Sequence, residues 1–130
     1  MGSLCEAMLT DFITPADPRW RQVLRAVQHD VYDLPQYLTL SAALEDAEPL
    51  AFYAAEGSCY CLIPLLRRRL PACLGAPACW TDAISPYGYS GALFTGGAEW
   101  GARAVRAFAG ACADRQMVSV LVRLSSRIGF

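Results

Sequence analysis

The sequence contains no lysine: all 11 of its basic residues are arginine, against 12 Asp and Glu and a single histidine, for a net charge of −1. No side chain can form a Schiff base, and there is no lysine to reach a nucleotide phosphate from a P-loop. Charged residues are scarce at 18% and hydrophobic ones abundant at 55%, which excludes a disordered tail or polar linker. A net charge this close to zero argues against general nucleic-acid binding, which needs a clustered basic surface to displace counterions. Long apolar runs are missing too. The longest, Cys59 to Leu66, is too short to span a bilayer and contains Pro64. Glu6 and Asp11 stand where an export signal is basic and then apolar, and Glu6 replaces the Ser or Thr of a myristoylation signal. Without an export signal, the 6 cysteines predict reduced thiols in a cytoplasmic protein without a membrane segment. A chain of 130 residues fits one domain over its whole length, 1–130.

The pattern predicts an α/β chain in the order helix, helix, strand, strand, loop, helix, strand. Asp17 and Pro18 open the first helix as cap and first residue, and Trp20, Val23, Leu24 and Val27 repeat at helical spacing behind them. A second helix starts around Asp33 and ends in the acidic run Glu45 to Glu48 before Pro49. Leu50 to Ala55 and Ser58 to Leu66 form a hairpin around Glu56-Gly57, with Pro64 marking an edge or a bulge. Pro71 to Gly97 reads as a long loop, of the kind more often functional than decorative. Ala98 to Asp114 is a third helix, and Met117 to Leu124 a last strand with both faces largely apolar.

Several constellations carry chemistry. Asp82 through Ser85-Pro86-Tyr87-Gly88-Tyr89-Ser90-Gly91 combines two permissive glycines with two amphipathic rings and a carboxylate able to act as base or hold an amine. Composition alone fits an aromatic turn packed over a sheet edge better. Gly88 to Ala92 loosely matches a hydrolase nucleophile elbow, but Pro86 precedes it, no helix follows directly, and His29 lies upstream rather than downstream. Cys59, Cys61, Cys73 and Cys79 lack the paired spacing of a zinc site, so no metal is expected. Arg67-Arg68-Arg69 can hold a phosphate or carboxylate, or simply end a strand in solvent. Gly96-Gly97 exposes helix amides without P-loop residues, and His29 beside Asp30 reads as a cap more readily than as a base.

Three strings in succession carry a family resemblance: His29-Asp30-Val31-Tyr32-Asp33-Leu34-Pro35-Gln36-Tyr37, then Leu62 to Arg67, then Asp82 with Ser85 to Gly91. In that order, and with Val118 to Leu124, the chain resembles the N-terminal part of bacterial GNAT-type acyltransferases related to the Fem aminoacyltransferases of peptidoglycan bridges. The likeness runs from about Trp20 to Leu124, and Ser-Pro-Tyr-Gly-Tyr is its most specific part. It implies a GNAT-like mixed sheet flanked by helices, and transfer of an acyl or aminoacyl group to an amine acceptor from acyl-CoA or an aminoacyl-tRNA. Such catalysis rests on positioning and on stabilising the developing oxyanion. By position, the resemblance assigns Asp82 as the catalytic carboxylate, and Tyr32, Tyr37, Tyr87, Gly88, Tyr89 and Arg67 to the acceptor side.

Two departures from the family matter. Relatives continue through a second lobe that binds the donor, whereas this sequence ends Ser125 to Phe130; and Gly96 to Gly101 does not fit a donor-pyrophosphate loop. The expectation is an incomplete fold, inactive alone, that self-associates through its last strand or pairs with a C-terminal lobe. The alternative is a non-catalytic binding or regulatory module that keeps the fold without a donor site.

Overall fold

The structure, a computed structural model, describes residues 7–86 and 91–123. Six strands form one mixed sheet: β1 (Leu9–Ile13), β2 (Glu48–Glu56), β3 (Cys59–Arg69), β4 (Thr81–Ile84), β5 (Leu93–Phe94) and β6 (Met117–Leu121). Three helices accompany them: α1 (Pro18–Ala26), α2 (Pro35–Glu45) and α3 (Ala98–Asp114). The sheet order is β1-β2-β3-β4-β6, antiparallel except for the parallel β4–β6 pair, and β5 joins β3 beside β4.

Helices cover both faces. On one, Trp20, Val23 and Leu24 of α1 and Leu38 and Ala42 of α2 pack on Ala51, Tyr53, Leu62 and Leu66. On the other, Trp100, Ala104, Phe108 and Cys112 of α3 pack on Phe52, Ala54, Cys61, Ile63 and Leu65. Alternation along β2 and β3 sends neighbouring residues to opposite cores, so both strands are continuously apolar. Cys59 and Cys61 face α3 together, as their two-residue spacing requires.

Local signals act as expected at α1, where the Asp17 carboxylate accepts the Arg19 N–H at 2.9 Å and Pro18 takes the first position. The second helix begins later than its sequence suggests. Val31–Asp33 is a separate 3-10 turn, and α2 starts at Pro35 behind it. β1, absent from the expected order, pairs with β2 along its whole length. The expected loop from Pro71 to Gly97 contains β4 and β5, and the hairpin is longer than expected, with β3 running on to Arg69. Pro64 sits in an internal strand, yet in a local gap: β5 pairs with Cys61 and Leu62, β4 with Leu66 to Arg69. A residue without an N–H suits the unpaired stretch between them.

The last strand differs most. Thr81 pairs with Met117 and Asp82 with Ser119, which leaves Val118 as an extra residue. The bulge shifts the phase, so Met117, Val120 and Val122 all pack towards α3. Val118 and Leu121 are instead 49% and 56% exposed. β6 is therefore covered on one face only, not on two as its composition predicts.

Candidate functional site

The residues singled out from the sequence fall in two places at opposite ends of α2, whose 11 residues span roughly 16 Å. Tyr87, Gly88 and Tyr89 lie outside the described residues.

The first place is a cleft of about 850 Å³ at the C-terminal end of α2, lined by Glu45, Asp46, Glu48, the arginines 67–69, Thr81 and Asp82. Asp46 takes a left-handed conformation (φ 52°) that ends α2, and the chain turns straight into β2. This brings Glu48 opposite Arg67 in the β2–β3 register, and their side chains meet at 2.7 Å. One strand over, Arg68 stands opposite Asp82. Its Nε donates to Oδ1 at 3.0 Å and its Nη2 to Oδ2 at 2.7 Å. The Asp82 carboxylate pushes the Arg68 guanidinium further up, with Glu45 adding to the field. Of the three consecutive arginines, Arg67 and Arg68 are thus neutralised. Arg69 is exposed at the rim, and among the described residues it forms no ion pair.

This arrangement decides what the predicted carboxylate can do. Asp82 is a two-pronged partner of Arg68, which engages both of its carboxylate oxygens. Arg67, expected to hold substrate, is held by Glu48. Among the described residues, the charged groups lining the cleft that form no ion pair are Arg69, Glu45 and Asp46. The cleft can therefore bind a small polar molecule that carries both an anionic and a cationic group.

The second place is the corner around the 3-10 turn Val31–Asp33 ahead of α2. Tyr32 and Tyr37 pack edge to face at 5.1 Å between ring centres. Between them in sequence, Asp33 is buried, 3% exposed. One of its carboxylate oxygens accepts the Asp30 N–H at 3.0 Å, and the backbone amide of Gly91 also bears on the group. Burial pushes the Asp33 carboxyl above the ordinary aspartate range, and the two amides only partly offset this. Sequence reasoning passed over Asp33 as a helix start. The signal was present in the Asp30-x-x-Asp33 spacing, a capping box in which each carboxylate accepts the other residue's N–H.

The remaining candidates have structural places. His29 is exposed, with Nδ1 3.0 Å from the Val27 carbonyl. Ser85 is buried and stitches β4 to β6, its Oγ accepting the Arg123 N–H at 2.8 Å. Cys61 is buried while Cys73 and Cys79 are exposed, and among the described residues no group of three or more His, Cys, Asp or Glu is placed to hold a metal. No described helix is long and apolar enough to cross a membrane.

Comparison with protein-family models, with curated proteins and with solved structures finds no match to this chain. The class that the fold defines is a mixed α/β protein with a six-stranded sheet between helices.

Proposed function

We propose that this chain is the acceptor-side part of an N-acyltransferase and that the cleft beyond α2 holds the amine acceptor, a molecule that also carries a carboxylate or phosphate. The observation that carries this reading is the charge pattern of the cleft: Arg69 has no ion pair among the described residues, and Glu45 and Asp46 line the same cavity. Arg69 is suited to the anionic group, the two carboxylates to the ammonium. The architecture agrees with the resemblance in its broad form, a mixed sheet with helices on both faces. The donor would be acyl-CoA or an aminoacyl-tRNA.

A non-catalytic binding module is the second reading, and one observation favours it. Asp82, the carboxylate assigned to proton removal, is engaged by Arg68 at 2.7 and 3.0 Å. Calorimetry with free lysine, an alanyl dipeptide and their carboxyl-amidated forms tests the site. The expected result is binding of the carboxylate-bearing amines, weakened about tenfold or more by Arg69→Ala, the loss of one charge-assisted contact. Failure of all of these to bind would overturn the acceptor assignment. Acyl-CoA turnover separates the two readings. Amine binding without any transfer, even in the presence of a donor lobe supplied as a second chain, would leave the binding module.

A further inference from the structure

We propose that Cys73 and Cys79 form a reversible disulfide across the loop that joins β3 to β4, a redox-sensitive modification site at the rim of the cleft. The proposal does not depend on the acyltransferase reading, since it concerns two thiols and the loop that carries them.

Three observations place the site. Among the described residues, Cys73 and Cys79 are the two exposed cysteines. Both lie in the loop between Arg69, the last residue of β3, and Thr81, the first of β4. Those two residues stand opposite each other in the antiparallel register, with Cα atoms about 4.5–5.5 Å apart in such ladders. The loop therefore returns to the place it left. Gly75, midway between Arg69 and Thr81, takes the left-handed conformation at φ +67° and marks the apex. Cys73 is thus on the outgoing arm and Cys79 on the returning one. The third observation is that neither arm is packed into a core: residues 71–80 are all exposed except the half-buried Ala76. Their backbone bonds are local turns, Leu74 N–H to the Pro71 carbonyl, Gly75 N–H to that of Ala72 and Trp80 N–H to that of Pro77.

The ends of the loop, by contrast, are fixed. The Thr81 N–H donates to the Gln116 carbonyl at 3.1 Å, and the Arg68–Asp82 ion pair lies one residue further in. A disulfide needs its two Cα atoms about 4.4–6.8 Å apart, and solvent-exposed turns can rearrange to that spacing without disturbing the sheet. Pro71, two residues before Cys73, lines the cleft with Arg69 and Thr81, so the bond fixes the part of the loop that edges the cavity.

The chemistry is exchange with a low-molecular-weight disulfide of the glutathione class. One cysteine, as thiolate, attacks a sulfur of the small disulfide, whose S–S bond breaks as a mixed disulfide forms and the first small thiolate leaves. The other cysteine, as thiolate, attacks the protein sulfur of the mixed disulfide and expels the second. Two protein thiols are oxidised, one small disulfide is reduced to two thiols, and the two cysteine protons pass to the departing thiolates. Exposure admits the reagent to either sulfur. Cys61 and Cys112, buried in the core beneath α3, stay out of its reach.

The full chain, reduced, equilibrated with oxidised glutathione, quenched by alkylation and mapped by mass spectrometry, tests this. Trypsin cleaves after Arg69 and Arg103 and releases Leu70–Arg103, which holds Cys73 and Cys79 and no other cysteine. The expected product is that peptide lighter by two hydrogens, restored to full mass by dithiothreitol. Cys73→Ser and Cys79→Ser should each stop at the mixed disulfide. The equilibrium constant against glutathione should be several-fold higher for the folded chain than in urea, because the paired loop ends hold the arms together. A peptide that keeps both thiols reduced, a mixed disulfide that persists in the wild-type chain, or an equilibrium constant no higher in the folded state would overturn the proposal.

Discussion

Arg68 and Asp82 face each other across β3 and β4 and close a two-pronged ion pair, Nε to Oδ1 at 3.0 Å and Nη2 to Oδ2 at 2.7 Å. The pair locks the first residues of β4 to the last of β3, beside the cleft that carries the proposed function. Its Arg68 side chain is 41% exposed and its Asp82 side chain 22%, so solvent screens much of the attraction. A double-mutant cycle with Arg68→Ala and Asp82→Ala, measured by urea unfolding, should give a coupling of no more than about 1 kcal/mol. A coupling of several kcal/mol would show that the strands depend on this pair far more than its exposure allows.

Phe52 is fully buried where two other rings meet it: Phe12 at 5.7 Å edge-on and Phe108 at 5.2 Å. It joins the edge strand β1, its neighbour β2 and helix α3 in one contact. Phe52→Ala should cost about 3–5 kcal/mol in chemical unfolding, the range for a large ring removed from a closed core. Phe52→Leu should cost clearly less.

Gly96 has φ +108°, and a Cβ there would lie 2.8 Å from Cys59 Sγ. Two penalties act together, an unfavourable backbone and a collision with a side chain that packs on the α3 core. Gly96→Ala should destabilise the fold by about 1–3 kcal/mol. In a Cys59→Ala background the 2.8 Å collision with sulfur disappears, but the close approach to the residue-59 Cβ at 3.2 Å and the backbone strain remain, so thermal melting should recover only in part.

The buried thiols should be inert. Burial pushes Cys61 up to about 12 and Cys112 up to about 11, so both stay protonated at about pH 8, and the thiol is a poor nucleophile. Iodoacetamide followed by mass spectrometry should label the exposed Cys73 and Cys79 of the native chain within minutes and reach Cys61 and Cys112 only with unfolding. Early labelling of Cys61 would mean that the core beneath α3 opens readily.

Acid stability should reflect Asp17. Its hydrogen bond from the Arg19 side chain, and the capped Arg19 N–H, hold its carboxyl below the ordinary value. A lowered folded pKa contributes stability above the unfolded value of about 3.9 and loses it as pH falls through the folded one. Asp17→Ala should cost about 1 kcal/mol at pH 7, and the difference from wild type should shrink below about pH 4. Asp33 has the opposite sign: burial raises its carboxyl, so any advantage of Asp33→Asn over wild type is greatest at higher pH and shrinks as pH falls.

Much of this molecule is legible along the chain. Asp17-Pro18 starts α1, Gly57 turns the hairpin, and Trp100, Ala104, Phe108 and Cys112 mark the buried stripe of α3. These depend on dihedral preference and on period, which neighbouring residues set among themselves. β1 was illegible because Leu9 to Ile13 carries Thr10 and Asp11 with little alternation, and becomes a strand by pairing with β2 some forty residues on. β4 was hidden for the same reason, a short segment whose partners are β3 and β6.

The sequence by itself determined the α/β character, the three helices and the central hairpin, because local spacing decides which residues can share a face. Only the tertiary structure decided how the site residues are used. Strand register set Asp82 against Arg68 and Glu48 against Arg67, leaving Arg69 without an ion partner among the described residues. The extra residue at Val118 turned Met117, Val120 and Val122 to the same side of β6 and left the other side exposed. Folding buried Asp33 beside α1, where the Trp20 indole donates to its carbonyl. Each of these is a contact between residues distant in sequence, and its energy depends on solvent exclusion and hydrogen-bond geometry that no run of neighbours specifies.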